Sequence, residues 1–181
     1  MIQTAATTNM GTDVDLMLYD HPTQQYRALL RFDFSALPAG AVISAASLEL
    51  YYWYKSGTPA GHNAYCYEVT QTGWVETEST WNRYKALTNW ATAGGDFTTE
   101  AGAVAVFPAD FGWMEWDVLN LVKHFQSTHA EIANFIMLMN ESSAANPYFH
   151  SNNYVTDTSL CPKLTITYTA PGGIRNNIMI F

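Results

Sequence analysis

The stretch from residue 73 to residue 90, GWVETESTWNRYKALTNW, places two carboxylates among tryptophans, a combination that could cleave a sugar chain. A glycosidase needs two carboxylates roughly 5–10 Å apart across a sugar ring. Glu76 and Glu78 are two residues apart, and such residues share one face of a strand about 6.6–7 Å apart. Surface acids are abundant on an acidic chain, however, and no sequence feature indicates that either glutamate is buried beside a cleft. We therefore interpret the stretch as structural.

The histidines show no spacing typical of a metal or catalytic site. Neither HExxH nor HxH occurs, and GxSxG, P-loop and GxGxxG motifs are absent as well. His124 and His129 are five residues apart, so they do not share one helix face. The sequence predicts no zinc site and no catalytic constellation. The five histidines are His21, His62, His124, His129 and His150.

Two groups of loop residues could supply oxygen ligands for calcium, which binds carboxylates and carbonyls of irregular loops. Neither group resembles an EF-hand loop, so we interpret both as solvated turn residues. We expect no cofactor, with structural calcium as the alternative. The groups are Asp13, Asp15 and Asp20, and Asn152, Asn153 and Asp157.

The two cysteines do not make a disulfide scaffold. Cys66 and Cys161 could pair if neighbouring strands bring them together. We favour the alternative, two separate reduced thiols in the core.

Composition indicates one globular domain and excludes some partners. Of 181 residues, 48% are hydrophobic, and 16 acids against 8 bases give a formal charge of −8. Phosphate binding depends on clustered Lys and Arg, so neither nucleic acid nor a membrane surface is an expected partner. No stretch approaches the roughly 18 apolar residues of a membrane helix. The first 18 residues lack the basic and apolar regions of a signal peptide, so we expect no export unless a leader was removed.

Alternating hydrophobicity, the period of half-buried strands, dominates the sequence. It is clearest in ALLRFDF (28–34), LELYYWY (48–54) and LTITYT (164–169). One segment, 117–125, has apolar residues at helical spacing, and Asp117 is a suitable N-cap. The pattern predicts an all-β, antiparallel sandwich of jelly-roll type with one short helix near 117–125.

The chain divides into a sandwich domain, residues 1–169, and a tail, residues 170–181. Pro171-Gly172-Gly173 ends the last predicted strand. Four apolar residues follow and must pack somewhere, either as an added strand or on another chain. They are Ile178, Met179, Ile180 and Phe181.

Some aromatic side chains fall opposite or beside the apolar stripes and cannot all be buried. Exposed aromatic rings on a sandwich can stack on sugars or form protein contacts, although core packing is the commoner role. The candidates are Tyr51, Trp53, Trp113 and Trp116.

Several segments in order resemble a known family. Together they look like the DNRLRE-type module, a β-sandwich related to carbohydrate-binding modules of the alginate-binding class. The tryptophan motif, with Trp74, Glu76, Thr80, Trp81 and Asn82, matches its W-x-E-x-x-x-T-W-N pattern. The resemblance covers roughly residues 5–169 and rests on segments 27–52, 67–84, 113–125, 149–151 and 162–168.

The resemblance implies a sandwich without catalytic machinery, and it carries over no sugar-binding residue. We predict that Trp74 and Trp81 plug the sandwich. We further predict that Glu76, Thr80 and Asn82 tie down a long loop by hydrogen bonds to backbone.

Three functions follow from these observations. The first is a non-enzymatic phage virion accessory, a capsid decoration or tail-associated subunit. It would be made in the host cytoplasm and held to other virion proteins or copies of itself through residues 178–181. The second is a carbohydrate-binding module that targets an enzyme or particle to a polysaccharide, extracellular or at a cell surface. The third, an enzyme using Glu76 and Glu78, is disfavoured.

An acidic glycan would have to overcome the charge of −8. Binding one would require calcium bridging or a local basic site. The residues considered for that site are Arg27, Arg31, Arg83 and Lys85.

Overall fold

A computed structural model describes residues 1–128, 132–139 and 145–181 of the chain. Those residues form an all-β sandwich of antiparallel strands with one short helix, which confirms the predicted fold class. The strands are β1 (Asp15–Met17), β2 (Tyr19–His21), β3 (Gln24–Tyr26), β4 (Ala28–Asp33), β5 (Val42–Ser56), β6 (Asn63–Val69), β7 (Arg83–Lys85), β8 (Thr88–Asn89), β9 (Phe97–Val106), β10 (Gly112–Asp117), β11 (Ile132–Met139), β12 (Asn146–His150), β13 (Lys163–Thr169) and β14 (Arg175–Ile180). The α-helix, α1, spans Leu119–Ser127, and 3-10 turns span Gln3–Ala5 and Thr158–Leu160. No helix of the described residues is long and apolar enough to span a membrane.

The larger sheet is organised around β5, a strand of 15 residues. Its strand order is β1-β12-β5-β13-β14, and β10 also pairs with β5. Ser47 and Glu49 pair with both β10 and β13, so these two strands lie on opposite sides of β5. Hydrogen bonding on both sides makes β5 a fixed support for the side chains that it carries.

The smaller sheet has the order β4-β11-β6-β9. The main core lies between the two sheets and takes alternate residues from each strand. In β5 these are Leu48, Leu50 and Tyr52, which are at most 1% exposed. Burying such side chains contributes about 1.5–3 kcal/mol each.

The helix begins slightly later than predicted. Asp117 is the last residue of β10, and the N-cap residue is Val118. The Asp117 carboxylate nevertheless accepts a hydrogen bond from the Leu119 backbone N–H at 3.0 Å. It therefore caps the helix from one position earlier than a standard N-cap. Leu121, Val122 and Phe125 pack into the core, in agreement with the predicted apolar face.

The tail folds back on its own chain as β14, at the edge of the larger sheet. It pairs with β13 from Leu164↔Ile180 to Thr169↔Arg175. Ile178 and Ile180 are half-buried against the core, whereas Met179 and Phe181 are exposed. The tail is thus an added strand, with two apolar side chains directed outward.

A second, smaller core lies outside the sandwich, against the outer face of the smaller sheet. We call the covering segment, residues 70–96, the tryptophan cap. Trp74 and Trp90 pack there with Val69 of β6 and Ile136 of β11. Trp81 is also buried, with the Arg27 guanidinium 4.9 Å from its ring centroid. The prediction that Trp74 and Trp81 plug the sandwich is therefore wrong in location, because the main core is filled from the inner strand faces.

One buried side chain joins the cap to the smaller sheet. The Oδ1 of Asn134 accepts hydrogen bonds from Trp74 Nε1 at 3.0 Å and from Arg31 Nε at 3.1 Å. The Arg31 guanidinium lies 4.2 Å from the Trp74 ring centroid and donates to the Trp74 carbonyl at 2.6 Å. Asn134 is 2% exposed. Burial makes an unpartnered donor costly, so this acceptor fixes how the cap sits on the sheet.

Asn134→Ala is expected to lower the free energy of unfolding by about 1–3 kcal/mol, because it leaves the buried Trp74 Nε1–H and the partly buried Arg31 Nε–H without their acceptor. Asn134→Asp keeps the acceptor oxygens beside Arg31 and is expected to cost less. Chemical denaturation measures the effect, with Asn177→Ala at an exposed position of β14 as the control. A loss under about 0.5 kcal/mol for Asn134→Ala, the range of ordinary surface changes, would contradict the assignment.

Candidate functional site

The outer face of the larger sheet carries a group of partly exposed aromatic rings, which we call the aromatic platform. It consists of Tyr51 and Trp53 of β5, Trp113 of β10, and His150 and Tyr154 beside them. Trp53 is 37% exposed and Trp113 is 39% exposed. Tyr51 meets Trp113 edge to face, with ring centroids 5.4 Å apart.

Strand alternation places these rings outward. Because Leu50 and Tyr52 are buried in the core, Tyr51 and Trp53 face the opposite side of β5. Trp113 is the register partner of Tyr51 and shares that face. The expectation that these three rings are available for contact agrees with their positions.

Trp116 does not belong to the platform. It is 0% exposed, and its Nε1 donates to the Ala64 carbonyl at 2.8 Å. Trp116 is three residues from Trp113, and an odd separation on a strand puts two side chains on opposite faces. The expectation of a contact role for Trp116 was therefore wrong.

His150 forms the base of the platform. Its ring is parallel to Tyr51 within 2° and to Trp53 within 7°, with centroids 5.8 and 5.2 Å away. The Tyr154 ring stacks on His150 at 3.6 Å. Since His150 is 5% exposed, its ring supports the outer rings from below.

Charged groups at the rim hold the platform rings in position. Asp15 of β1 accepts a hydrogen bond from Trp53 Nε1 at 2.9 Å. Lys163 of β13 places its Nζ 3.8 Å from the Trp113 ring centroid and 2.7 Å from a Glu49 carboxylate oxygen. Rings that are fixed in this way lose little conformational entropy when a ligand stacks on them.

Burial disfavours charge on two groups of the platform, Asp15 at its rim and His150. Burial raises the pKa of Asp15 above its ordinary value, although the hydrogen bond from Trp53 opposes this. Burial also lowers the pKa of His150, against the attraction of Asp15 and Asp157. His150 is therefore neutral at pH 7.

The platform has the chemistry of a binding site for a flat, hydroxylated ligand. Aromatic faces can pack on the apolar face of a sugar ring, and carboxylates beside them can accept hydrogen bonds from its hydroxyls. The combination of apolar rings with a few fixed polar groups is typical of small-molecule sites.

The glutamates of the tryptophan motif show a different geometry from the one that hydrolysis would need. Glu76 and Glu78 lie in a turn rather than a strand, and both are exposed. The Glu78 carboxylate accepts a hydrogen bond from the Ala86 N–H at 2.7 Å. The pair is therefore a surface feature of the cap.

Only part of the predicted loop network uses the predicted side chains. Thr80 Oγ1 accepts hydrogen bonds from the backbone N–H groups of Asn82 and Arg83, at 3.2 and 3.1 Å. Glu76 and Asn82 take part through their backbones. Ser79, which the motif did not indicate, donates its hydroxyl to the carbonyls of Val75 and Tyr84. A polar residue with two backbone partners is hard to identify from sequence, because both partners are fixed by the folded loop.

The two calcium candidate groups lie near each other but bond to other partners. Asn153 donates to the Gly11 and Asp13 carbonyls, at 2.9 and 3.2 Å. Asp20 accepts from Gln25, and Asp157 accepts from the N–H and hydroxyl of Ser159. In the described part of the chain, no three His, Cys, Asp or Glu side chains could hold a metal ion together. Structural calcium stays a prediction.

Two of the basic residues considered for acidic glycans are engaged with the tryptophan cap. Arg27 donates to the Gly94 carbonyl at 3.0 Å and packs on Trp81, and Arg31 packs on Trp74. Burial lowers the pKa of both arginines. Arg83 and Lys85 are exposed residues of β7.

The two cysteines form no disulfide with each other. Cys66 and Cys161 are both free and buried, in agreement with the favoured interpretation. Burial raises the pKa of both thiols. His129 lies outside the described residues.

Sequence patterns missed two of the five platform rings. His150 and Tyr154 were not recognised, although FHS (149–151) is one of the segments quoted for the resemblance. Lys163 could have been placed by alternation, because Leu164 is buried and its neighbour must face outward. Tyr154 follows β12 in a turn, where no period applies.

We expect stability to decrease as pH falls below about 6.5, the ordinary pKa of histidine, partly because of His150. Its pKa is lower in the folded state, so the unfolded chain binds the proton first on acidification. The contribution of His150 is complete above pH 6.5 and is lost as pH approaches its folded pKa. His150→Phe keeps a ring in the stack and should flatten this slope in denaturation curves at several pH values. His21→Phe is the control, and equal slopes for the wild type and His150→Phe would contradict the assignment.

Comparison with known proteins gives one family. A family model described as carbohydrate-binding module family 96 matches residues 2–168. No curated protein matched the chain.

Proposed function

The chain belongs to carbohydrate-binding module family 96, and we propose that it binds a polysaccharide through the aromatic platform. The observation that carries this proposal is the row of Tyr51, Trp113 and Trp53 rings, fixed on hydrogen-bonded strands and open on the sheet surface. Family membership favours the second hypothesis drawn from the sequence over the virion role. The finer DNRLRE-type assignment rests on the sequence motifs and stays a prediction.

We propose that the ligand is a neutral glycan. Three acids, Asp15, Glu49 and Glu115, lie on the platform face or its rim. Lys163 is the one cation that contacts a platform ring in the described residues, and Glu49 pairs with it. With a formal charge of −8 for the whole chain, this face repels uronates and tolerates uncharged hydroxyls.

The proposed role is binding without catalysis. Its family is one of binding modules, and the glutamates of the tryptophan motif are exposed turn residues. The module would hold an enzyme or a particle on the polysaccharide, outside the cell or at its surface.

Trp53→Ala and Trp113→Ala are each expected to weaken binding at least about tenfold, equivalent to about 1.4 kcal/mol. Affinity electrophoresis and calorimetry measure this with soluble glucomannan, galactomannan and β-glucan. Ile174→Ser is the control, because it removes an exposed apolar side chain (68%) in the turn before β14, away from the platform.

An alginate arm with and without calcium tests the charge argument. The wild-type protein should bind the neutral glycans and should not bind alginate. If the protein bound alginate but none of the neutral glycans, the proposal of a neutral ligand would be wrong. If a Trp53→Ala, Trp113→Ala double variant kept full affinity for the glycan, the proposal that the platform binds it would be wrong.

A second role rests on β14. The strand is an open sheet edge of six residues with one charge, Arg175, at its start. Edges usually carry charges, prolines or bulges that prevent pairing, whereas Met179 and Phe181 are exposed here. We propose that this edge is the contact for a protein partner, the feature that a virion subunit would use.

Met179→Glu with Phe181→Ser should abolish association and leave glycan affinity unchanged. Light scattering measures self-association, and co-sedimentation with virions measures the second kind of partner. Ile174→Ser, exposed in the preceding turn, is the control. A wild-type protein that stays monomeric and does not sediment with virions would dismiss the role.

A further inference from the structure

The outer face of the smaller sheet carries a second row of rings, which we call the tyrosine ladder. It consists of Tyr65 and Tyr67 of β6 and Phe97 of β9. Tyr65 and Tyr67 are stacked at 5.7 Å with 11° between their planes. Tyr67 and Phe97 continue the row at 5.8 Å and 16°.

Alternation and one glycine place the ladder. Ala64 and Cys66 are buried in the main core, so Tyr65 and Tyr67 face outward. The Tyr67 ring occupies the space that a Cβ at Gly102 would fill, 2.2 Å from its nearest ring atoms. Any other residue at 102 would displace Tyr67 from the row.

The tryptophan cap covers only part of this face. It packs on β4 and β11 and reaches the near side of Tyr67 and Phe97. The far side, along β9, stays open, where Val104 and Val106 are 54% and 58% exposed. Tyr65 is the register partner of Val104 and lies on the open side.

An open groove continues the ladder at Phe97. It has a volume of about 610 Å³ and is lined by Thr70, Gln71, Thr92, Asp96, Phe97 and Thr99, among others. Of the lining residues in the described part of the chain, only Asp96 is charged, and its carboxylate caps the N–H groups of Ala91 and Thr92. The groove therefore offers hydroxyl and amide groups beside an aromatic row.

We propose that the ladder and groove form a second binding site, for another segment of neutral polysaccharide. Packing under the cap accounts for the burial of Tyr67, but not for a hydroxyl-lined groove at the end of a stacked row. A volume of about 610 Å³ is within the roughly 300–1,000 Å³ of ordinary ligand sites. The choice of a polysaccharide as the ligand rests on the proposed function. The site itself does not, since it shares no ring with the aromatic platform.

Two sites on opposite sheets would change what the module does. Each site would hold a different polysaccharide chain, because the sandwich core separates the two sites. The protein would then cross-link polysaccharide, and its avidity for a dense network would exceed the affinity of either site.

Calorimetry with cellohexaose and mannohexaose tests the proposal through stoichiometry. Tyr65→Ala removes an outer ring of the ladder, and Thr99→Arg fills the groove from an exposed position without removing a core side chain. The Trp53→Ala, Trp113→Ala double variant removes the platform, and Ile174→Ser is the control. Thermal unfolding of each variant verifies that it folds.

The wild type should bind two hexasaccharides, and either set of variants should bind one, with at least tenfold loss at the altered site. The viscosity of a glucomannan solution should rise when the wild-type protein is added, and it should not rise with the ladder variants or with the platform variant. One hexasaccharide per wild-type chain, unaffected by Tyr65→Ala and Thr99→Arg, would overturn the second site and leave the platform standing. If the ladder variants lost one site and the platform variant lost none, the proposal that the platform binds the glycan would be wrong instead. No binding to wild type would overturn both.

Discussion

The two-residue period of β5 is the constraint on which the rest of the structure depends. Leu48, Leu50 and Tyr52 are buried between the sheets, and this burial forces Tyr51 and Trp53 to the outer face. A shift of one residue would expose the core residues and bury the platform. Pairing with β10 on one side and with β12 and β13 on the other fixes this register. The stability of the sandwich and the position of its aromatic surface thus have one cause.

The second constraint is that the inner face of the smaller sheet is covered, whereas its outer face is covered only in part. The main core covers its inner face, and the tryptophan cap covers the outer face of β4 and β11. Asn134 joins this cap to the sheet through one oxygen with two donors. The cap reaches only the start of β9, at Phe97, and the later outward side chains Val104 and Val106 stay exposed, which is how an aromatic row comes to lie beside solvent.

Local periodicity in the sequence predicted strands β4, β5 and β13, the helix, and the outward position of Tyr51, Trp53 and Trp113. It failed wherever the answer depended on distant contacts. The inward position of Trp116 could have been derived from its odd separation from Trp113 along one strand. The burial of Trp74 and Trp81 outside the sandwich, by contrast, depends on where a long segment crosses the sheet. Such a crossing has no period, and its hydrogen bonds are visible only in the folded chain.

The same limit explains why family resemblance does not determine the ligand. The framework positions are conditions for folding, whereas the ligand depends on which charges remain at the surface. Arg27 and Arg31 are basic residues in the sequence, but in the fold they pack on Trp81 and Trp74 and bond to cap carbonyls. A guanidinium that packs on a ring and donates to backbone carbonyls has fewer free donors for an anion. Once these two are assigned to the cap, the platform has more acids than bases around it, and a neutral glycan is the ligand class that its charge permits.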